Sequence, residues 1–373
     1  MVPDAKQPSR QRLPRPRHAA SFVVLAIWVA LGVAFDSGPD YLQRRVEQLA
    51  AGSSWSAVDW EARHLPGGLA LVAGQTLSPP ADEMLRNELA LLLSGQRTLD
   101  GGTAQTIGAA VTEQLHTAGV GSVGGAVIPP VAFAVSEPPA VLIVSPRSEI
   151  RLAESVLLRE DIDLKTAEAI EAAAERLNLS ALVERTGGIA TYPTLIAPGT
   201  SAYAALQTVA HEWTHTALFL MPLGRAYGTS PEARAINETV ADLVGQEVAQ
   251  RAARSVGQRP TSGGVADRTL IDTLRRIRMN VDRLLANGEV DNAEMYMEEE
   301  RRALVDQGYA FRRLNQAYFA FHGNYAEGPA ASTEIPDTLR QLRTESASLA
   351  DFIGRAGGIT RLSELKQLVG QGA

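Results

Sequence analysis

The sequence predicts an α+β fold that is mainly helical. Two short runs rich in β-branched residues, 131–135 and 141–144, predict strands, and each run follows a pair of prolines. Most of the remaining chain spaces its apolar residues three and four apart, as amphipathic helices do. The composition, 45% hydrophobic and 21% charged, is that of a folded protein. We therefore expect one small antiparallel or mixed sheet among many helices.

Composition limits the chemistry that the chain can perform. None of its 373 residues is a cysteine, so disulfides, thiol catalysis and cysteine–zinc sites are excluded, and any metal must use His, Asp or Glu. The formal net charge of −7 is uneven, because residues 1–18 carry +4 and leave −11 for the rest. A body of that sign is a poor partner for nucleic acid, and we expect no nucleic-acid partner.

The N-terminus has the pattern of a membrane anchor. Residues 1–18, rich in Pro, Arg and Gln, predict a disordered basic tail on the cytoplasmic side. Residues 19–35 contain no charge and are just long enough to span a bilayer, and the basic flank before them orients the body of the chain outward. We therefore expect a single-pass signal anchor in the cell membrane. A cleaved signal, which would make the protein secreted, and a buried soluble helix are the alternatives.

The next part of the chain predicts helices with few special features. Residues 36–125 form an N-terminal helical region, which ends at a domain boundary or flexible segment near Gly119–Gly125. After the two predicted strands, residues 154–182 space their apolar side chains three and four apart and predict one long helix.

A short strand is expected at residues 187–196, entered through a glycine turn. Pro193 lacks an N–H and confines this strand to the edge of a sheet. An exposed edge could bind an extended peptide as an additional strand, although a plain surface loop is an equally good interpretation. The residues that would then contact a peptide are Gly188, Ile189, Ala190, Thr191 and Tyr192.

Two helices with clear start signals follow. The first is expected from about residue 202 to residue 221, with Thr200 or Ser201 as its N-cap. The second is expected to run from Pro231 to about residue 254, with Ser230 as its N-cap and proline in the first turn.

The first of these helices carries the sequence His211-Glu212-Trp213-Thr214-His215, which has the form H-E-x-x-H. Residues four apart share a helix face, so two imidazoles at this spacing can bind one Zn²⁺. Glu212 can then act as the general base that takes a proton from the attacking water. A chance match on an ordinary buried helix is the alternative.

The second helix carries two acidic residues four apart, Glu238 and Asp242. They share a face that is otherwise rich in Ala and Val. The simple interpretation is a solvated stripe. The sharper one makes Glu238 the third zinc ligand and Asp242 the acceptor for the N–H of a ligand imidazole.

Together the two motifs, HEWTH and NETVAD, resemble the gluzincin zinc metallopeptidases, the thermolysin-like group. The resemblance covers about residues 187–254 and implies a zincin-like catalytic domain, here placed at residues 126–260. It implies one zinc ion held by His211, His215 and Glu238, with Glu212 as general base and Asp242 supporting His211. The edge-strand sequence has neither the Met-Glu-Asn of gluzincin aminopeptidases nor the Asn-Ala of thermolysin-like endopeptidases, so endo- or exopeptidase activity stays open.

Residues 261–373 are expected to form a helical C-terminal lobe, with long helices over 269–285 and 292–321 and one or two more after residue 333. A polar cluster ends the second long helix, and a gluzincin needs a His, Tyr or Arg to stabilise the oxyanion. His322 or Tyr325 is the candidate for that role, and ordinary helix capping is the alternative.

The function predicted from these observations is zinc-dependent hydrolysis of peptide bonds at the extracytoplasmic face of the membrane. The partners implied are a peptide or protein substrate and, through residues 19–35, the membrane. A zinc-stabilised binding module without turnover, and a helical scaffold with an accidental motif, are the alternatives. The sequence leaves the substrate and the oligomeric state open.

Overall fold

The computed structural model describes residues 41–64, 82–120, 127–189, 191–228, 230–259, 268–322 and 334–370. The predicted basic tail and signal anchor, residues 1–35, lie outside these ranges, as do Ala190 and Tyr325. None of the helices in the described ranges combines the length and the apolar composition that crossing a bilayer requires.

The described residues form an α+β structure that is mainly helical, as the sequence predicts. The helices are α1 Tyr41–Leu49, α2 Asp82–Leu93, α3 Ala104–Thr117, α4 Leu164–Glu175, α5 Ala202–Leu218, α6 Pro222–Arg225, α7 Pro231–Ser255, α8 Arg268–Ala286, α9 Val290–Asp306, α10 Gln316–His322, α11 Ile335–Glu345, α12 Leu349–Gly357 and α13 Leu362–Gly370. The strands are β1 Phe133–Val135, β2 Ala140–Pro146, β3 Glu154–Leu158, β4 Leu179–Arg185, β5 Gly188–Ile189 and β6 Thr194–Ile196. Residues 57–64 are also helical.

An antiparallel sheet of order β3-β2-β4 is buried on both faces. Successive side chains of a strand point to opposite faces, so the central strand β2 contributes to two cores. Leu142 and Val144 pack with α1 and α4. Val141 and Ile143 pack with α8, α9 and α10 on the other face. This double burial explains why the strand is a continuous apolar run and does not alternate with polar residues.

The outer edge of this sheet is closed by side chains. Glu171, which has no exposed surface, accepts a hydrogen bond from the Val183 N–H at 2.7 Å. Arg312 donates to the Val183 carbonyl at 2.8 Å, and Asn315 donates to the Ala181 carbonyl at 2.9 Å. These bonds satisfy backbone groups of β4 that would otherwise present an open strand edge.

A second, mixed sheet has the order β1-β6-β5. β1 pairs with β6 in parallel, so that Phe133 lies opposite Thr194, and β5 pairs with β6 antiparallel, so that Gly188 lies opposite Ile196. The two strands expected from the β-rich runs therefore exist, but they belong to different sheets. The expected strand at 187–196 is two short strands joined by a turn.

Helices α5 and α7 pack against each other at the centre of the largest core. α3 contacts both of them, and α11 and α12 also pack against α7. The range 261–373, expected to be one C-terminal lobe, contributes in two places: α8–α10 pack on the antiparallel sheet, and α11–α13 pack on the helical core.

Two predictions of long helices, both made from apolar spacing, are wrong. Residues 154–182 contain β3 and part of β4 around the shorter α4, whose N-cap Asp163 accepts from the Thr166 N–H at 2.7 Å. Asn178, at a φ of 61°, lies between α4 and β4. The range 292–321 divides into α9 and α10, and Gly308, at a φ of 94°, follows the end of α9. The chain after residue 333 forms three short helices in its described part, where one or two were expected.

Candidate metal centre

Helix α5 presents the two motif histidines to α7. Ser201 caps α5 by accepting a hydrogen bond from the Ala204 N–H at 3.3 Å. Leu206, Val209 and Trp213 are buried in the helical core. The imidazoles of His211 and His215 lie one turn apart on a different stripe, with ring centroids separated by 4.7 Å.

Helix α7 supplies the third group. Ser230 caps this helix by accepting from the Ala233 N–H at 3.2 Å, as the sequence predicts. Glu238, only 4% exposed, extends from α7 toward both imidazoles. Gly245 permits the close approach of the helices, because a Cβ at this position would lie 2.7 Å from the Gln207 carbonyl oxygen and 3.4 Å from the His211 Cβ.

Three ligand atoms converge between these helices. The two Nε2 atoms of His211 and His215 are 3.0 Å apart, and Glu238 Oε2 lies 3.4 Å from the first and 3.5 Å from the second. Tetrahedral zinc ligands at their usual bond lengths are separated by about 3.3–3.6 Å. Two of the three separations fall in that range, and the third is a few tenths of an ångström shorter. His211, His215 and Glu238 can therefore hold a metal ion.

The hydrogen bond made by the Nδ1 atom of each imidazole determines which tautomer the ring adopts and therefore whether its Nε2 atom faces the centre with a lone pair. His211 Nδ1 lies 3.0 Å from Asp242 Oδ1, and His215 Nδ1 lies 2.7 Å from Asn237 Oδ1. These oxygens can only accept, so each Nδ1 carries the proton and a neutral ring turns its Nε2 lone pair toward the centre. Three lone pairs then face one another, an arrangement that requires a cation.

The carboxylate of Glu238 fits this requirement. Its Oε2 atom is buried, and no residue in the described part of the chain donates a hydrogen bond to it. A buried acceptor without a donor is costly unless a positive charge compensates it. The other oxygen, Oε1, accepts a hydrogen bond from the Tyr227 hydroxyl, which fixes the orientation of the carboxylate.

Electrostatics couple these groups in the metal-free protein. Burial alone would raise the pKa of Glu238, but the two histidines lower it below its ordinary value. Burial alone would lower the pKa of His211, but the hydrogen bond to Asp242 and the nearby Glu238 carboxylate raise it well above its ordinary value. The carboxylate and the two rings are therefore electrostatically coupled, and protons and a metal ion would compete for this centre.

Glu212 lies on the cleft side of α5 beneath strand β5. Burial is the largest cause that raises the pKa of its carboxyl group above the ordinary value. The backbone of Gly188 passes so close that a Cβ there would lie 2.6 Å from Thr208 Cγ2 and 3.7 Å from Glu212 Oε1. Strand β5, an outer strand of the mixed sheet, therefore passes close to the predicted general base at Gly188.

The other residues of the predicted edge strand have different surroundings. Ile189 in β5 pairs with Leu195 in β6. The side chains of Thr191 and Tyr192, which follow β5, are buried. The Tyr192 N–H donates to Glu61 Oε1 at 3.1 Å. Any additional strand would therefore pair at Gly188 and Ile189.

Of the two residues proposed for oxyanion stabilisation, only His322 lies within the described residues, and the structure does not bring it to this centre. His322 ends α10, where its ring packs 4.4 Å from the ring of Tyr318. In the described part of the chain, no contact joins His322 to the three ligand residues. Tyr325 lies outside the described residues.

Sequence reasoning missed Asn237 and Tyr227. Asn237 is a buried amide, 1% exposed, directly before the predicted ligand Glu238. Its place next to that ligand is the sequence feature that could have predicted a role at the metal centre. Tyr227 lies between α6 and α7, and its ring is 5.8 Å from that of His215. Only the packing of the loop against α7 reveals its contact with Glu238.

The whole chain was also compared with known proteins. No protein-family model, curated protein or solved structure matches it.

Proposed function

We propose that this chain is a zinc-dependent peptidase of the gluzincin type. The observation that carries the proposal is the convergence of three lone-pair atoms, from His211, His215 and the buried carboxylate of Glu238. Two imidazoles and one carboxylate form a ligand set typical of catalytic zinc, which keeps a fourth position open. Zinc bound there would polarise a carbonyl oxygen and lower the pKa of water.

Glu212 is the residue that moves protons in this proposal. Its carboxyl pKa is raised, chiefly by burial, toward the range in which an acid or base works near neutral pH. Its carboxylate takes the proton of the attacking water and then gives it to the amine of the leaving peptide. Asp242 and Asn237 hold the imidazoles in the tautomer that presents Nε2.

Strand β5 offers the substrate a place to bind. An extended peptide that paired with Gly188 and Ile189 would lie over α5, with its backbone near Glu212. Backbone pairing suits a peptide of many sequences, and it leaves open whether the enzyme cleaves inside the chain or at its end.

Tyr227 carries a hydroxyl at the centre: it donates to Glu238 Oε1, and its ring packs edge-on against His215. To stabilise a developing oxyanion, this hydroxyl would turn its single proton from Glu238 to the oxyanion, where a preorganised donor is worth more than in water. We therefore propose Tyr227, in place of His322 or Tyr325, as the residue that stabilises the oxyanion.

The compartment is part of the proposal. The basic tail and the apolar segment 19–35 would place the catalytic body outside the cytoplasmic membrane, either anchored or, after cleavage, secreted.

The test uses the full chain, with bound zinc measured by mass spectrometry and cleavage measured on a peptide mixture. Glu212→Gln should keep stoichiometric zinc and lose about a hundred- to ten-thousandfold in cleavage rate. Glu299→Gln, an exposed carboxylate on α9, is the matched control and should leave both unchanged. Absence of zinc from the wild-type protein would refute the site assignment.

A non-catalytic zinc-stabilised binding module is the second candidate, since the same ligand set would also stabilise the α5–α7 packing. Stoichiometric zinc combined with no cleavage that depends on Glu212 would favour this alternative.

A further inference from the structure

A cavity of about 570 Å³ lies beside the outer strand β4, between α4 and α10. Its volume is within the range of small-molecule binding sites. About half of its lining residues are apolar, among them Leu164, Ala167, Leu182 and Phe311.

One apolar residue of the cavity wall is exposed to solvent. Leu164, at the start of α4, is 57% exposed although it is a large apolar side chain. Leu164 lies at the rim of the cavity and, with Phe311, forms part of its apolar wall. The apolar wall therefore suits a ligand with an apolar body.

Seven polar side chains complete the lining: Asp163, Glu184, Arg185, Arg312, Arg313, Tyr318 and His322. Among the described residues, none forms a hydrogen bond or a close ion pair with the Glu184 carboxylate. Burial raises the pKa of Glu184, and burial lowers the pKa of His322 to about 4. Charge on either group is thus poorly compensated in the free protein.

Three arginines line the cavity, and each is already engaged. Arg185 donates to the backbone carbonyls of Glu160 and Ile162, and Arg313 pairs with Glu171 and Glu175. Arg312 makes two hydrogen bonds to the fully buried Glu171, at 2.7 and 2.5 Å, and a third to the Val183 carbonyl. Its guanidinium acts on Glu184 only from a distance. A ligand cation would therefore meet a carboxylate that no arginine neutralises by direct contact.

The larger neighbouring cavity, about 650 Å³, shares Arg312 and Arg313 with this one. Its arginines are paired with carboxylates, Arg147 with Glu294, Arg301 with Glu298 and Arg313 with Glu175. A carboxylate there is already bound to an arginine, whereas Glu184 in the smaller cavity has no close partner that a ligand would have to displace.

We propose that the cavity between α4, β4 and α10 binds a small amphipathic amine. The ammonium group pairs with Glu184 and lies near the ring of Tyr318, where cation–π attraction adds to the ion pair. Neutral His322 supplies a hydrogen-bond acceptor, and the apolar body covers Leu164 and Phe311. The site is separate from the three metal ligands and does not depend on the proposed peptidase activity.

Calorimetric titration of the full chain with phenethylamine tests the proposal, with 2-phenylethanol as the uncharged analogue. Binding of the amine at millimolar concentration or below, at least about tenfold tighter than the alcohol, is the expected result. Glu184→Gln should remove this difference, whereas Glu168→Gln, an exposed carboxylate on α4, should preserve it. A short apolar peptide with a free N-terminus, compared with its acetylated form, distinguishes a peptide amine from a free amine.

Two further measurements locate the binding. Ala167→Phe, which fills the cavity from α4, should abolish binding of the amine while circular dichroism confirms the fold. A chelator and the Glu212→Gln variant should leave amine affinity unchanged, because these act on the metal centre. Equal affinity for amine and alcohol, or amine binding that survives Glu184→Gln or Ala167→Phe, would overturn the proposal, as would the absence of amine binding at millimolar concentration.

Discussion

Single residues at the metal centre decide which nitrogen of each imidazole carries a proton. Asp242 and Asn237 perform the same task for the two rings with different chemistry, since one oxygen is charged and the other is neutral. The charged acceptor makes the His211 ring the more basic one, and a more basic ring donates more strongly to a metal.

Asp242→Asn should lower zinc affinity about ten- to a hundredfold, because it removes the charge behind His211 and allows the amide to turn its NH₂ toward Nδ1. Competition with a chromophoric chelator measures this affinity. Asp291→Asn, whose side chain is 91% exposed, is the control and should bind zinc as the wild type does. Unchanged affinity in Asp242→Asn would mean that Asp242 does not support His211.

Tyr227→Phe separates two roles of one hydroxyl. If Tyr227 stabilises the oxyanion, kcat should fall about a hundredfold at saturating zinc while KM changes little. Tyr41→Phe, at a tyrosine that is largely exposed, should have no effect. An unchanged kcat together with weaker zinc binding would restrict Tyr227 to orienting Glu238.

The packing of α5 against α7 sets the ligand separations at the scale of secondary-structure elements. Gly245→Ala should force these helices apart, because its Cβ would clash with the Gln207 carbonyl beside His211. We expect a lower Tm and weaker zinc binding, measured by thermal unfolding with and without zinc. Gly354→Ala in α12 is the matched control, since its Cβ meets open space, and it should be neutral or slightly stabilising. Equal Tm and zinc affinity in the two variants would show that the α5–α7 distance tolerates a methyl group.

Local signals predicted the elements that carry the ligands. Ser201 and Ser230 cap α5 and α7 as expected, and spacing within each helix places His211, His215, Glu238 and Asp242 on usable faces. The strand β3 was missed because its stability comes from pairing with β2, which apolar spacing over so few residues does not reveal.

Contacts between distant elements were beyond the reach of the sequence. Gly188 lies over Glu212 because the mixed sheet packs on α5, and Tyr227 reaches Glu238 because a short loop folds back on α7. His322 was chosen for its polar neighbours along the chain, but α10 packs on β2 and β4. A pattern along the chain can predict which residues share a face, but it cannot predict what that face meets.

The unfolding free energy of the whole molecule also depends on pH through a side chain away from the metal centre. His322 faces a cavity whose other ionisable wall residues include Asp163, Glu184, Arg312 and Tyr318, and burial keeps its pKa near 4. An unfolded histidine has a pKa of about 6.5, so the unfolded chain binds more protons than the folded chain between these two values. The stability that neutral His322 provides is complete above about pH 6.5 and is lost as the pH falls toward 4.

His322→Gln should therefore reduce the pH dependence of stability. Between pH 7 and pH 5 the wild type should lose about 1–2 kcal/mol of unfolding free energy through His322, and the variant should lack this contribution. Urea unfolding of both proteins at both pH values, with a chelator present throughout, isolates the effect, because every other titrating group is common to the two. His64→Gln, at an exposed histidine in the N-terminal helical segment, should retain the pH dependence of the wild type. An equal loss of stability in wild type and His322→Gln would show that His322 titrates in the folded protein as it does in the unfolded chain, and that the cavity beside β4 is open to water at that side chain.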